Sequence, residues 1–279
     1  MKLTTPVLSA LLGIAGLAAS ASAQTTLTAP STDLYLGFYA TAGTGSSSNL
    51  EVDLGAISSF TTGAWADGQA HSIGHLSALD LSATYGSSWN TSTSLFWGLA
   101  GATGTSSNPN IFISHVATPG TASGGYDIVN SSLASQASRR TARAGISSIS
   151  TNLAGLTSTV NSNFATVVAT SSGGSWSSLG VDTANQVDFT QYNLPEFDNG
   201  TNIAHGSYAV SDLYELTNAG AEAYIGSFAL DSSGQLWFSS SASSFAATAV
   251  PEPATYAAIV GALALGAVVI RRRRQAAAA

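Results

Sequence analysis

The stretch YAVSDLYELTNAGAEAYIGSFALDSSGQLWFS, residues 208–239, decides the fold. It contains three runs rich in aromatic and β-branched residues, at 208–216, 223–230 and 235–239, which are typical of strands. The segments between them, TNAG and DSSG, have the composition of tight turns. The three runs therefore predict an antiparallel meander.

The same pattern occurs earlier in the chain. Strand-like residues at 33–38 and 49–54 flank a Gly- and Ser-rich loop at 41–48, which predicts a hairpin. Two further runs, at 95–99 and 111–116, are also separated by a loop of turn-forming residues. Short strands and a hydroxylated surface favour a mainly β fold, an antiparallel sandwich or a curved sheet.

The run at 49–54 alternates between apolar and acidic residues. Leu50, Val52 and Leu54 occupy one set of positions, and Glu51 and Asp53 occupy the other. Because successive side chains of a strand point to opposite faces, the alternation predicts that the two acids face solvent.

One segment keeps a helical period instead. Apolar residues recur at spacings of three, four and seven, at Ile146, Ile149, Leu153, Leu156, Val160 and Val167. We expect one longer helix packed on the sheet. A coiled-coil helix is the alternative, although Asn163 occupies one position of the stripe and Gly145 and Gly155 weaken the helix. A shorter helix is expected at 76–85.

The charge of the chain excludes several classes of function. Only 8% of the residues are charged, against about 25% in an ordinary soluble domain. Residues 24–249 contain three arginines, Arg139, Arg140 and Arg143, against 14 carboxylates, so we expect no nucleic-acid partner. The chain has no cysteine, which excludes disulfides, thiol nucleophiles and cysteine-ligated metals.

The N-terminal residues have the three parts of a secretory signal peptide. Lys2 provides a positive charge, residues 7–19 form an apolar run, and Ala21 and Ala23 are the two small residues of a small-x-small cleavage site before Gln24. We therefore expect signal peptidase to remove residues 1–23.

The C-terminal residues 250–279 predict a membrane anchor. Pro251, Glu252 and Pro253 precede an uncharged apolar stretch at 254–270, which as a helix would span about 25 Å, close to the ~30 Å of a hydrocarbon core. Four arginines follow it, Arg271, Arg272, Arg273 and Arg274. Such a positive cluster remains cytoplasmic, so residues 24–249, a β-rich extracytoplasmic domain, would lie outside.

This Pro-Glu-Pro motif, apolar span and arginine cluster together resemble the PEP-CTERM sorting signal of Gram-negative bacteria that produce exopolysaccharide. The resemblance covers about thirty residues. It implies that an exosortase recognises Pro251–Pro253, removes the transient inner-membrane span and passes the periplasmic body to the cell surface or the extracellular matrix. Two prolines also keep this segment extended, as proteases require of their substrates.

Two groups of residues could bind metals. His71 and His75 have the spacing of two ligands on one helical face, but Gly74 between them disfavours a helix, so we interpret them as solvent-exposed loop residues. Glu196 and the Asp198–Gly200 turn could supply calcium ligands, but an Asn-Gly turn alone explains that segment. We predict neither a metal nor a cofactor.

Catalysis would need two carboxylates that meet across the sheet. The candidates are Asp33, Glu51, Asp53, Asp188, Asp212 and Glu215. The chain lacks a nucleophile elbow, a phosphate-binding loop and a dinucleotide fingerprint. We therefore predict that the protein is not an enzyme.

Five tryptophans could provide platforms for sugars: Trp65, Trp89, Trp97, Trp176 and Trp237. Trp97 and Trp237 lie in apolar strands and are expected in the core, whereas Trp89 and Trp176 have Ser and Gly neighbours and are the candidate surface stacking residues. The sequence thus predicts an exported structural or adhesive protein with exopolysaccharide as a candidate partner. The alternatives are a carbohydrate-binding module and a carbohydrate-active enzyme.

Overall fold

The computed structural model describes residues 24–116, 133, 135–179, 208–241 and 245. Its strands are β1 Asp33–Ala40, β2 Ser48–Ala56, β3 His71–Ile73, β4 Leu95–Gly104, β5 Pro109–Val116, β6 Ala165–Ala169, β7 Tyr208–Leu216, β8 Glu222–Asp231 and β9 Leu236–Ser239. Its helices are α1 Ser58–Thr61, α2 Ala78–Tyr85 and α3 Gln136–Leu153, with short 3-10 turns at Trp89–Thr91 and Trp176–Leu179.

The strands form one curled antiparallel sheet in the order β3-β9-β8-β7-β5-β4-β1-β2-β6. The meander β7-β8-β9 and the hairpins β1-β2 and β4-β5 are all confirmed. Of the two expected architectures, the curved sheet is therefore correct. The short strands β3 and β6, which pair at the two ends of this order, were not predicted, because three and five residues carry little alternation.

The sheet curls around a first apolar cluster, here called the inner cluster. It joins residues from strands that are far apart in the sheet order, together with α1 and α2. Its members include Leu36, Leu50, Phe60, Leu81, Trp97, Phe228 and Phe238. The apolar positions of β2 point into this cluster, as their alternation predicted.

A second apolar cluster, the outer cluster, covers the opposite face of β1, β4, β5 and β7. It packs α3 and the Trp176–Leu179 turn onto that face. Its members include Tyr35, Ile113, Ile146, Ile149, Leu153, Trp176 and Tyr214. Part of the sheet is therefore buried on both faces.

Helix α3 is the long helix that the period predicted, but it is shorter than the stripe. Ser135 caps its start by accepting a hydrogen bond from the Ser138 amide, and the helix ends at Leu153. Gly155 has a φ of +88°, a conformation that favours glycine and turns the chain away. Leu156, Val160 and Val167 consequently lie outside the helix, and the two valines are each 47% exposed.

The expected helix at 76–85 is confirmed as α2. Ser77 caps it by accepting a hydrogen bond from the Leu79 amide, and Gly86 follows its last residue. The Tyr85 hydroxyl accepts a hydrogen bond from the Leu50 amide and donates one to the carbonyl of Phe38, so the helix is fixed to β1 and β2.

Candidate functional site

The two candidate sugar-stacking tryptophans are buried, so the prediction that they lie on the surface was wrong. Trp89 is 4% exposed and belongs to the inner cluster, and Trp176 is 1% exposed and belongs to the outer cluster. The indole of Trp176 lies directly over Gly37, where a Cβ atom would be 1.9 Å from Trp176 Cδ2. Both residues help to form the core.

Glu51 is also buried, which corrects the prediction that it faces solvent. Its side chain is fully covered on the outer face, and its Oε1 accepts a hydrogen bond of 2.7 Å from the Trp176 amide. Within the described residues its Oε2 atom has no hydrogen-bond partner. Burial raises the pKa of Glu51 to about 8, so the folded protein holds this carboxyl protonated at neutral pH.

Asp33 and Asp53 form a hydrogen-bonded carboxyl pair. Asp53 is 6% exposed rather than solvent-facing, and its Oδ1 accepts a hydrogen bond from the Gly55 amide. The register of the β1–β2 pair shifts between Asp33 and Tyr35, at the place where Asp33 and Asp53 lie next to each other. Burial, and then the charge of Asp53, raise the pKa of Asp33 to about 6.

The candidate catalytic carboxylates lie in two separate parts of the sheet. Asp33 and Asp53 are neighbours, and each side chain shifts the pKa of the other through a hydrogen bond. Asp212 and Glu215 lie on β7, three strand spacings or about 14 Å from β1. Ser227 donates to Asp212 and Asn110 to Glu215, so each has a partner of its own.

The two histidines make separate contacts and do not share a helical face. His71 lies in β3 and its Nε2 is 2.7 Å from Asp67 Oδ1. His75 is half-buried, with its ring stacked on Phe164 at 3.8 Å and its Nδ1 2.8 Å from the Asp53 carbonyl oxygen. Within the part of the chain that the structure describes, no three His, Asp or Glu residues are grouped to hold a metal.

The three arginines of α3 bind backbone carbonyls. Arg139, only 4% exposed, donates to the carbonyls of Leu133 and Asn218. Arg140 donates to the Ser107 carbonyl, and Arg143 donates to the Thr103 carbonyl. These cations tie the helix to the loops beside it. Their role was not predicted, because all of these carbonyls except that of Leu133 lie 33 or more residues away in sequence.

A cavity of about 240 Å³ lies between the 41–48 loop and the Trp89–Thr91 turn. Five hydroxyl side chains line it: Thr44, Ser88, Thr91, Ser92 and Ser94. Ala40, Tyr85 and Leu95 contribute its apolar part. Every residue that lines the cavity in the described part of the chain is uncharged. The only sequence signal for this cavity was the Ser and Thr content of the 41–48 loop and of the residues around the Trp89–Thr91 turn.

Comparisons with protein-family models, with curated proteins and with solved structures gave no match. Among the described residues, no helix has both the length and the apolar character needed to cross a membrane. The sorting and cleavage residues lie outside the described residues, as do Asp188, Glu196 and Asp198.

We expect Asp33→Asn to raise the free energy of unfolding at pH 7 by about 1–2 kcal/mol. The pKa of Asp33 is raised on folding, so its protonated carboxyl stabilises the folded state. This stabilisation is complete below about pH 4 and is lost as the pH rises through about 6. In urea titrations between pH 4 and 7, the stability of the variant should fall less steeply than that of the parent, because only the part of the decline due to Asp33 is removed and Glu51 still contributes its own. Asp231→Asn is the control with the opposite sign: burial raises the pKa of Asp231, but its hydrogen bonds together outweigh this effect and hold the pKa below its ordinary value. Equal pH dependence of Asp33→Asn and the parent would contradict the expectation.

Proposed function

We propose that this chain is an exported structural or adhesive protein of the cell envelope or extracellular matrix, sorted by an exosortase. The observation that carries the proposal is the order of features at 250–279: Pro251, Glu252 and Pro253, an apolar span at 254–270, and the cluster 271–274. A signal-like segment at 1–23 agrees with export.

Two features of the described residues support a structural or adhesive role: the burial of the acids on the sheet and the hydroxyl-rich exposed loops. Its acids Glu51, Asp33 and Asp53 are buried, and none of them lines the cavity described above. Its exposed loops are rich in hydroxyls, for example at 41–48. Such a neutral polar surface suits contact with a polysaccharide matrix.

A carbohydrate-binding module is the second candidate, and the uncharged hydroxyl-lined cavity favours it. A carbohydrate-active enzyme has weaker support, because the acids on β1 and β7 are three strands apart, about 14 Å measured along the sheet, and Asp33 and Asp53 are buried next to each other.

The sorting proposal predicts that changing both Pro251 and Pro253 to Ala will keep the protein in the membrane. In a host with an exosortase, the parent should appear in the envelope or medium without residues 271–274. The double variant should remain in the membrane fraction with these arginines attached, because the extended recognition segment is lost. Cell fractionation and mass spectrometry of the purified protein measure both results.

The matched control is Pro195→Ala, which changes a proline outside the sorting signal. It should be released like the parent. Release of the double variant at the parental level, or recovery of released parent that still carries 271–274, would overturn the proposal.

A further inference from the structure

We propose that the cavity between the 41–48 loop and the Trp89–Thr91 turn binds one neutral sugar unit, such as the end or a branch of a polysaccharide. This deepens the adhesive role proposed above and rests on it for the source of the sugar. The binding itself can be measured without any sorting enzyme.

The hydroxyls around the cavity supply groups that recognise other hydroxyls. The side-chain oxygens of Thr44 and Ser88 make no hydrogen bond within the described part of the chain, so both remain available to a ligand. Thr91 already donates to the Ser88 carbonyl, but its oxygen can still accept. Each hydroxyl therefore offers a donor or an acceptor, as the mixed donors and acceptors of a sugar require.

The apolar part of the cavity matches the C–H face of a sugar ring. Ala40, Leu95 and the ring of Tyr85 present carbon atoms, against which the C–H face of a pyranose can pack. The absence of a charged side chain among the described lining residues disfavours phosphate, sulfate and uronate ligands, which are recognised by Arg or Lys. The lining thus selects a neutral ligand.

Hydrogen bonds hold the cavity in shape without a ligand. The Thr41 amide donates to the Ser94 carbonyl over 2.8 Å, and the Ser94 hydroxyl donates to the Ala42 carbonyl over 3.2 Å, so the loop is tied to the start of β4. Tyr85 is fixed by its bonds to β1 and β2. A preformed site lowers the entropic cost of binding a small ligand.

The volume of the cavity suits one ring. Its 240 Å³ correspond to about eight water molecules at ~30 Å³ each, below the ~300–1,000 Å³ of sites for drug-sized ligands. The cavity also lies where β1 ends and β4 begins, at one end of the curled sheet. Ligand sites are common at the mouths of β-barrels, and this end of the curled sheet has the corresponding position.

The test uses the full chain purified in detergent and saturation-transfer NMR with D-glucose, D-galactose, N-acetyl-D-glucosamine and D-glucuronate. We expect weak, saturable binding of at least one neutral sugar and no comparable binding of glucuronate. Ala42→Trp places an indole in the cavity from an exposed loop and should weaken binding at least about tenfold. Ala219→Trp is the matched control, in the exposed β7–β8 turn at the other end of the sheet.

The results of this test distinguish the sugar-binding inference from the sorting proposal. No saturable binding of any neutral sugar, equal binding by Ala42→Trp and the parent, or equal binding of glucuronate would each overturn the inference. If Ala42→Trp does not fold, Ser88→Ala and Thr44→Val test the same site, and unchanged binding by both would overturn it. The processing experiment on Pro251 and Pro253 is independent, so failure of sugar binding is distinguishable from failure of sorting.

Discussion

Gly37→Ala is expected to lower the free energy of unfolding by about 3–5 kcal/mol. A Cβ atom at this position would lie 1.9 Å from Cδ2 and 2.3 Å from Cγ of Trp176, so the two side chains cannot both stay in place. The backbone of Gly37 cannot move away, because it is paired with Glu51 on one side and with Gly98 on the other. Trp176 must therefore leave the outer cluster, and the expected loss is that of removing a buried tryptophan. Urea unfolding of the purified protein measures it.

A double-mutant cycle distinguishes this mechanism from a general effect on β1. When Trp176→Ala has already removed the indole, adding Gly37→Ala should cost little, since the new methyl group then has space. Gly74→Ala is the matched control: this exposed glycine has no atom within 4 Å of its added Cβ, and the change should stay within about 0.5 kcal/mol. If the losses of unfolding free energy from the two substitutions were additive, contact with Trp176 would not be the reason why Gly37→Ala destabilises the protein.

The inner face of the sheet could be predicted because alternation is a local signal. Each apolar position of β2 needed only its neighbours in sequence to be assigned to one face, and all three are in the inner cluster. The turns at 217–220 and 231–234 were equally local, and they set the order of β7, β8 and β9.

The outer face could not be predicted in this way, because the residues that cover it are remote in sequence. Trp176 is 125 residues from Glu51, to which its amide donates. Alternation separates the two faces of a strand, but it does not show whether a second layer covers the polar one. The acids of β2 were therefore assigned to solvent although they are buried.

One signal for the position of Trp176 was present in the sequence. A glycine inside an apolar strand marks a place where another group approaches the backbone closely, and Gly37 lies in the middle of β1. The Ser and Gly neighbours of Trp176 indicated only a loop. The 3-10 turn there places the indole against the sheet, so a loop position was not evidence of exposure.

Glu51→Gln is expected to stabilise the protein increasingly as the pH rises. Burial raises the pKa of Glu51 from its ordinary value near 4.5 to about 8, so folding must take up a proton between these two pH values. The stability contributed by the neutral acid is complete below about pH 4.5 and is lost as the pH rises to about 8. Glutamine keeps the acceptor for the Trp176 amide and does not ionise.

The difference in unfolding free energy between Glu51→Gln and the parent should therefore grow by about 1 kcal/mol for each pH unit, to about 3 kcal/mol near pH 8. Any cost of an unpaired amide Nε2 beside the packed indole adds the same offset at every pH and leaves this slope unchanged. Asp67→Asn is the control: the hydrogen bond from His71 lowers the pKa of that exposed acid, so its removal should not reproduce the gain at high pH. Urea titrations from pH 5 to 8 measure the slope. A constant difference across this range would mean that Glu51 ionises in the folded protein as it does in the unfolded chain, and that water reaches it beneath Trp176.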